Sequence, residues 1–264
     1  MTTIGYQGEP GAFSEEAALT LLDGCDARGY ADFESLLEAV NTAQVEFALL
    51  PCENSIYGSI ARSYDLLLQF RSLHIVDETS HGIVQCLIGT NDCTLDSIAS
   101  VASHPVALEQ CRSFLANYPT WRIEAAGDTA GSVRAVAARR DRTRAAIGPA
   151  LAAQRYDAKV LVEHVADERE NITRFFLVSR SATPRRNLGR ACLAFHLPHR
   201  AGSLHTALAG FARRGLNLRN LVVRPRRGRP FEYTFYAELE VDVSLDNSVL
   251  TSDLTPESRL LGRY

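Results

Sequence analysis

The chain has 264 residues, of which 46% are hydrophobic and 22% charged, and this composition is typical of a soluble globular protein with one large core or a few small ones. The net charge of -3 supplies no long-range attraction for nucleic acid, and no apolar run approaches the roughly 18 residues that span a membrane. Residues 1–11 lack the basic region, apolar core and cleavage site of a signal peptide, so we expect a cytoplasmic protein without nucleic-acid or membrane partners.

The cysteines are scattered along the chain and form no CxxC pair. His, Cys and acidic residues do not cluster at metal-ligand spacing, so the pattern predicts reduced thiols and no metal site. Cys52 lies inside a motif described below, but no base is evident for it, and a nucleophilic role is not favoured.

The first 79 residues alternate strands with helices. Strands are predicted over residues 2–6, 29–33, 47–51 and 74–79, and helices over residues 14–22, 34–42 and 57–69. Ser14, followed by Glu15 and Glu16, is a capping signal for the first helix, because carboxylates complement the positive end of the helix dipole.

The same alternation continues to residue 156. Strands are predicted over residues 83–89, 100–103, 121–125 and 145–147, and helices over residues 104–118, 128–140 and 149–156. Regular alternation favours two parallel α/β layers over an antiparallel sandwich. A small-molecule site is then expected at the carboxyl ends of the strands.

The pattern changes in the last third of the chain. Residues 181–190 are predicted to be a linker from their Ser, Thr, Pro, Asn and Gly content. Strands over residues 191–197, 218–224 and 231–240, with an amphipathic helix over residues 203–214, predict a βαββ unit that forms a separate domain of roughly 70 residues. Residues 244–256 read as a poor helix.

A chemically suggestive segment runs over residues 171–176, Asn-Ile-Thr-Arg-Phe-Phe, and leads into an apolar run predicted to be a buried strand. Arg grips a carboxylate with two parallel hydrogen bonds, and Thr donates or accepts one more. Thr173 and Arg174 at the lip of a strand are therefore able to hold an anionic small molecule. The alternative at this point is a plain strand with a solvated edge.

Other turns follow predicted strands and precede predicted helices. Residues 51–59, Pro-Cys-Glu-Asn-Ser-Ile-Tyr-Gly-Ser, would set Asn54, Ser55 and free backbone N–H groups at the carboxyl end of a strand, where an anion can dock. His104 and the Asp128-Thr129 pair occupy the same place after later strands, and each is also compatible with a plain helix cap.

Taken in chain order, these segments resemble the prephenate dehydratase family. Gly8-Glu-Pro-Gly-Ala-Phe-Ser-Glu-Glu-Ala-Ala18 is similar to GPxGTFSExAA, residues 51–59 to P-x-E-N-S-x-x-G-S, residues 104–111 to HPQALxQC, residues 128–130 to the start of DTAxAA, and residues 171–175 to N-x-TRF. The tail is similar to an ACT regulatory domain, with residues 201–204 near its GAL motif and residues 215–218 near its G-I-N-L motif. The resemblance covers essentially the whole chain.

The resemblance implies a fold as well. It implies an α/β catalytic domain over residues 1–180 with two lobes and a cleft, like a periplasmic binding protein, followed by an α+β ferredoxin-like ACT domain over residues 191–264. Lobe 1 would take about residues 1–79 and 170–180, and lobe 2 about residues 80–169.

The resemblance also implies a reaction. The family converts prephenate to phenylpyruvate in phenylalanine biosynthesis, with loss of water and carbon dioxide, and this carbon–oxygen lyase chemistry needs no cofactor and no metal. By resemblance, Thr173 donates to the leaving hydroxyl, Arg174 clamps a carboxylate, and Glu53 and Asn54 complete the catalytic set. A bare Glu53 carboxylate would repel a dianion unless it is protonated or paired. The implied substrate-binding residues are Ser55, His104, Thr129, Phe175, Gly8 and Phe13.

L-phenylalanine is implied as an effector, and pairing of ACT domains implies a homodimer or a homotetramer. The implied allosteric residues are Ala201, Gly202, Ser203, Leu204, Asn217, Arg224 and Pro225. Residues 222–225, Val-Val-Arg-Pro, stand where the family has E-S-R-P, and the loss of Glu and Ser leaves feedback inhibition open.

Three alternatives to prephenate dehydration remain at this stage. The chain could act on arogenate, or it could only decarboxylate prephenate, as relatives in secondary-metabolite pathways do. Val106, which replaces the usual Gln after His-Pro, is a departure that bears on the substrate. The third alternative is a non-catalytic amino-acid sensor, because an α/β cleft with an ACT domain can simply bind ligand.

Overall fold

The computed structural model of the chain describes residues 1–242, 244–251, 254 and 257–264. Within these residues, no helix is both long enough and apolar enough to cross a membrane. The chain divides into two compact units. The first unit comprises residues 1–36, 54–58 and 80–174, and the second comprises residues 37–53, 59–79 and 175–264.

The elements follow one another in short segments. The strands are β1 (Thr3–Gln7), β2 (Asp26–Tyr30), β3 (Phe47–Asn54), β4 (Gly58–Ser59), β5 (His74–Gly82), β6 (Cys86–Gly89), β7 (Ser100–Ser103), β8 (Arg122–Ala125), β9 (Arg144–Gly148), β10 (Lys159–Val162), β11 (Ile172–Ser179), β12 (Arg190–His196), β13 (Asn217–Pro225), β14 (Tyr233–Glu240) and β15 (Arg259–Arg263). The helices are α1 (Phe13–Leu21), α2 (Phe33–Asn41), α3 (Ala61–Gln69), α4 (Pro105–Gln110), α5 (Arg112–Ala116), α6 (Thr129–Arg139), α7 (Ala150–Arg155), α8 (Ser203–Arg213) and α9 (Asn247–Thr251).

The first unit contains a parallel pair, β1 with β2, and a sheet in the order β10-β6-β9-β7-β8. In this sheet β7 runs parallel to β8 and β9, whereas β6 pairs antiparallel with both β9 and β10. The predicted α/β class is confirmed, but the prediction of purely parallel layers is wrong. Strand β10 was not predicted from the sequence. It forms the antiparallel edge that mixed α/β sheets often carry.

Apolar clusters cover both faces of this sheet. Successive side chains of a strand point to opposite faces, so one strand contributes to both clusters. Leu87 and Ile147 belong to an apolar cluster on one face that includes Trp121. Their strand neighbours Ile88 and Ala146 belong to a second cluster on the other face. The apolar runs in β6 and β9 therefore reflect burial on two sides rather than an amphipathic strand.

Two predicted helices differ from the observed ones by more than two residues. The helix predicted from residue 57 begins at Ala61, because residues 58–59 form β4 and the Ile60 N–H donates to the Cys52 carbonyl at 2.8 Å. The helix predicted over residues 104–118 is split into α4 and α5 at Cys111, whose backbone angles of φ -113° and ψ 21° leave the helical region.

In the second unit the strands follow the order β13-β14-β12-β15-β5-β11-β3. The segment from β12 to β15 runs β-α-β-β-α-β with antiparallel pairing, which is the ferredoxin-like arrangement that was predicted. The sequence reading found its first four elements and missed β15. Of the predicted poor helix, residues 247–251 form α9, while residues 252, 253, 255 and 256 lie outside the described residues.

Strand β15 reaches β5 through a close backbone contact. Gly262 pairs in parallel with Ile75, and a Cβ placed on Gly262 would lie 2.1 Å from the Ile75 carbonyl oxygen. Only a residue without a side chain fits this approach.

We therefore expect Gly262→Ala to lower the free energy of unfolding by about 1–3 kcal/mol, because the added methyl group forces β15 away from β5. Urea denaturation followed by circular dichroism measures the change. The matched control is Gly82→Ala in β5, where an added Cβ meets no atom within 4 Å. Equal midpoints for the two variants would contradict the prediction.

The segment predicted as a linker, residues 181–190, forms ion pairs with carboxylates of β5. The Asp77 side chain on β5 is completely buried, and its carboxylate lies 2.7 Å from Arg186 Nε and 3.6 Å from an Arg185 nitrogen. Its neighbour Glu78 pairs with Arg190 at the start of β12. Buried carboxylates need such partners, so this stretch is part of the packed second unit.

Candidate active site

The residues 51–59 motif forms a tight turn between β3 and β4. The Asn54 side-chain Oδ1 accepts hydrogen bonds from the backbone N–H groups of Ile56 at 3.0 Å and Tyr57 at 3.1 Å. An oxygen must occupy this position, because both partners are donors. The orientation of the Asn54 amide is therefore settled by its partners, with Nδ2 on the opposite side.

That Nδ2 group joins the turn to the start of β11. It donates to Asn171 Oδ1 at 2.7 Å and to Thr173 Oγ1 at 3.1 Å. Ser55 adds two bonds, because its N–H donates to the Ile172 carbonyl and its Oγ accepts from the Ile172 N–H, each at 2.9 Å. Two motifs separated by more than a hundred positions thus meet through side-chain and backbone hydrogen bonds.

The same contacts overturn one prediction about the turn. The N–H groups of Ser55, Ile56 and Tyr57 were expected to be free for an anion, but each already donates within the protein. An anion docked at these backbone groups would have to displace existing hydrogen bonds. Side chains of this turn, rather than its backbone N–H groups, are therefore the candidates for contact with a ligand.

Thr173 is almost fully buried, with 9% of its surface exposed. Its oxygen accepts from Asn54, which leaves the hydroxyl hydrogen available for donation to a ligand. A hydroxyl that accepts a hydrogen bond is also a better donor, because hydrogen bonds in a chain polarise one another. The arrangement prepares Thr173 to give a hydrogen bond.

Arg174 follows Thr173 in β11 and is half-buried. Successive side chains of a strand lie on opposite faces, so Arg174 and Thr173 would contact different parts of a ligand. Glu53 and Phe175 belong to the second unit, where Glu53 is half-buried in β3 and Phe175 is buried in β11.

His104 and Thr129 lie at helix starts on one edge of the first unit's sheet. His104 follows β7 and caps α4 with Nδ1 accepting from the Val106 N–H at 3.2 Å, so in the neutral ring Nε2 carries the proton. Asp128 follows β8 and caps α6 through Gly131 N–H at 2.6 Å, with Thr129 as the first helical residue. Because β7 and β8 are parallel, both caps lie at the same carboxyl edge.

The opening motif forms a loop held by α7. A Cβ on Gly11 would lie 2.6 Å from Ala152 Cα, and Gly11 has a positive φ of 91°, so glycine is required there. Buried Glu15 pairs with Arg155 and accepts from the Gly11 N–H at 2.5 Å. The predicted Ser14 cap is wrong: α1 begins at Phe13, and its N-cap is Ala12.

Two predicted substrate-binding residues, Gly8 and Phe13, lie on this loop. Gly8 has a φ of 125°, and its N–H donates to the Tyr30 carbonyl at 2.9 Å. Phe13 is half-buried at the start of α1. The loop that carries both residues is therefore placed by contacts with β2 and α7.

Tyr57 connects the turn to the His104 segment. It is half exposed, and loss of water contact together with the nearby Glu109 carboxylate of α4 raises the pKa of its hydroxyl. The sequence reading gave neither residue a role, although both lie inside motifs that it quoted. Asn171 was likewise quoted without a role.

The cysteines of the chain are all buried. None of the six is in a disulfide among the described residues, and Cys52 is among the buried ones. Burial raises the pKa of Cys86 to about 11 and that of Cys111 to about 12, so both stay protonated near neutral pH. In the part of the chain that the structure describes, no group of three His, Cys, Asp or Glu side chains is placed to hold a metal ion.

The structure separates the predicted allosteric residues into three places. Ser203 and Leu204 line a hollow at the start of α8, next to exposed Ala201 and Gly202, and the Ser203 hydroxyl is buried without a protein partner among the described residues. Asn217 donates to Glu240 at 2.8 Å at one end of β13.

Arg224, next to Pro225 at the other end of β13, binds Asp65 of α3 with its nearest nitrogen at 3.0 Å. Its guanidinium is therefore committed to α3. Asn220 of the same strand donates to Ser59, the last residue of the residues 51–59 motif, at 3.2 Å. Strand β13 thus contacts both α3 and that motif.

Fold and site together define an α/β protein with a buried hydroxyl–amide pair and a ferredoxin-like tail. The sequence model of the family described as "Prephenate dehydratase" matches residues 4–183. The chain is 37% identical over 257 residues to an Arabidopsis thaliana protein named arogenate dehydratase/prephenate dehydratase 1, chloroplastic, covering 91% of this chain and 65% of that relative. This chain belongs to the prephenate dehydratase family.

Several solved structures match over nearly the whole chain. A prephenate dehydratase from Arthrobacter aurescens in complex with L-Phe superposes with a TM-score of 0.88 at 27% identity, covering 100% of this chain and 90% of that one. GqqA, described as a novel type of quorum quenching acylase, superposes with a TM-score of 0.89 at 28% identity, covering 98% of this chain and 96% of that one. The chain spans 65% of the length of the curated plant relative.

Proposed function

We propose that the chain is a prephenate dehydratase, a carbon–oxygen lyase that makes phenylpyruvate for phenylalanine biosynthesis. The observation that carries the proposal is the hydrogen bond from Asn54 Nδ2 to Thr173 Oγ1 at 3.1 Å. This bond gives the protein a hydroxyl donor of defined direction, which is the group that loss of a ring hydroxyl requires. Membership of the family supports the same reaction.

The proposed reaction has one proton to deliver. The bond between the ring and its carboxylate breaks, carbon dioxide leaves, and the electron pair moves into the ring. As this pair moves, the carbon–oxygen bond at the opposite ring position breaks, and its electron pair leaves with the oxygen as hydroxide, which takes its proton from solvent to become water. A neutral hydroxyl is a weak acid, so Thr173 donates its hydrogen bond in concert with departure rather than transferring a free proton beforehand.

Aromatisation drives this reaction strongly, so the protein mainly has to orient the substrate and assist departure. In the proposal, Thr173 and Asn54 face the leaving oxygen, and Ser55, His104 and Thr129 line the remaining pocket with Gly8 and Phe13. Arg174 contacts a carboxylate from the other face of β11. Glu53 and Phe175 complete the proposed set.

The test is product formation by the purified full chain. Prephenate should give phenylpyruvate, which is read by its ultraviolet absorbance in alkali. Arogenate in a parallel assay should give phenylalanine with a lower kcat/KM, and the reverse order would make the chain an arogenate dehydratase. A non-aromatic dihydro product would identify a decarboxylase instead. Release of an acyl group from an N-acyl amide without prephenate turnover would contradict the proposal and match the activity named for GqqA.

The ferredoxin-like segment is proposed to be an ACT domain that binds L-phenylalanine and pairs chains into a homodimer or a homotetramer. Support comes from the Arthrobacter aurescens structure with L-Phe and from the buried Ser203 hydroxyl beside the α8 hollow. Calorimetry of the full chain with phenylalanine tests binding, and inhibition of prephenate turnover tests feedback. Sedimentation measures the oligomeric state.

The proposed location is the cytoplasm, on the sequence expectation of reduced thiols. The plant relative described above carries the word chloroplastic in its name. Fractionation of source cells with an antibody against the chain would distinguish the cytoplasm from an organelle.

A further inference from the structure

We infer that Asn171 is a positioning residue for the proposed dehydration, because it settles which way the Asn54 amide directs its second hydrogen. This inference rests on the proposed function. It concerns a side chain that does not touch the substrate and acts through Asn54.

The hydrogens on the Asn54 side-chain nitrogen limit how many bonds it can donate. Asn54 Nδ2 carries two, and three oxygens lie near it: Asn171 Oδ1 at 2.7 Å, Thr173 Oγ1 at 3.1 Å and the Ile172 carbonyl at 3.4 Å. The Ile172 carbonyl already accepts from the Ser55 N–H at 2.9 Å. The two shorter contacts therefore take the two hydrogens, one for Asn171 and one for Thr173.

The Asn171 amide has its orientation imposed in turn. Asn54 presents a donor, because its Oδ1 is held by the Ile56 and Tyr57 N–H groups. Asn171 must therefore accept this hydrogen bond with Oδ1, and its own Nδ2 points away from Asn54. The backbone at Asn171 is also held, since its carbonyl accepts from the Ile83 N–H at 2.7 Å.

Burial of the Asn171 side chain carries a desolvation cost in folding free energy. The residue is 2% exposed, and its Nδ2 is buried without a protein partner among the described residues. Folded proteins retain few buried donors of this kind, and an apolar side chain would fill the same space without one. The acceptor oxygen is what an apolar replacement would lack.

Without that acceptor, the Asn54 amide loses its shortest bond. It can then rotate toward the Ile172 carbonyl, and the hydrogen aimed at Thr173 is no longer held in line. Thr173 would still be present, but its hydroxyl would be free to turn away from the leaving oxygen. The effect should therefore appear in the chemical step rather than in substrate binding.

The experiment compares Asn171→Leu with Asn171→Asp in the full chain. The leucine variant should lose about 10²-fold in kcat for prephenate with KM near the wild-type value, as expected when a catalytic group is misplaced. The aspartate variant, in the protonated form that burial favours, keeps an acceptor oxygen for Asn54 and should recover most of kcat, even if the leucine variant folds poorly. Thr90→Val is the matched control. It removes one hydrogen bond of another buried side chain, to Asp92 at 2.8 Å, and should keep the wild-type kcat.

The outcomes separate the two proposals. If the wild-type chain turns over neither prephenate nor arogenate, the proposed function and this inference both fall. If the wild-type chain is active and a folded Asn171→Leu variant keeps its kcat, this inference alone falls. Equal loss of kcat in folded leucine and aspartate variants also overturns it, because the acceptor oxygen would then not be the feature that matters.

Discussion

Thr173→Val is expected to lower kcat for prephenate by about 10²- to 10⁴-fold, the usual contribution of a positioned acid–base group. Valine has the shape of threonine without the hydroxyl, and Thr173 is 9% exposed, so the change removes a donor and leaves the packing in place. Substrate binding should change little, because the donated hydrogen bond strengthens as the carbon–oxygen bond breaks. Steady-state kinetics with prephenate separate kcat from KM.

Thr173→Ser is the matched control for this experiment. Serine keeps an oxygen that accepts from Asn54 and a hydrogen for the substrate, so it should retain far more activity than valine. The valine variant loses one hydrogen bond from Asn54, which predicts a stability loss of about 1 kcal/mol and an intact fold. Wild-type kcat in the valine variant would remove Thr173 from the mechanism.

Arg186→Met is expected to lower the free energy of unfolding by about 3 kcal/mol, because it deprives a buried carboxylate of its main partner. The Asp77 side chain is completely buried, and Arg186 Nε lies 2.7 Å from it. Arg185 remains at 3.6 Å, which places the expected cost at the lower end for a broken buried ion pair. Arg186 itself is about half exposed, so the cost arises at Asp77.

A second substitution identifies the cause. Adding Asp77→Asn to Arg186→Met removes the buried charge and should restore most of the lost stability. Arg180→Met, an exposed arginine on the same stretch, is the surface control and should stay within about 0.5 kcal/mol of the wild type. Chemical denaturation measures all four proteins. A negligible effect of Arg186→Met would mean that Asp77 is satisfied without it.

Several local features could be predicted from the sequence because their cause is local. Strand β7 was placed at residues 100–103 without error, and helix α8 within one residue of its end, since a short apolar run and an amphipathic period with a following glycine lie within a few positions. The order of the motifs was likewise readable, and it led to the family that the comparisons confirm.

Other features failed because their cause lies elsewhere in the chain. Residues 57–60 read as the start of a helix, but pairing with β3 draws them into β4 and a turn. Residues 181–190 have the composition of a linker, and this composition does not indicate that Arg186 pairs with the completely buried Asp77 on β5. Composition indicates the conformation that a segment favours in isolation. It does not show which distant buried charge the segment will contact in the fold.

The sequence by itself determined the family, the α/β class, the ferredoxin-like tail and the residue types of the candidate site. The tertiary structure decided how those residues are connected: Asn54 meets Asn171 and Thr173, and the backbone N–H groups of the turn are already used. Periodicity and motif spacing are local properties of a chain. The direction of a single amide hydrogen depends on acceptors more than a hundred residues away, which only folding brings within hydrogen-bond distance.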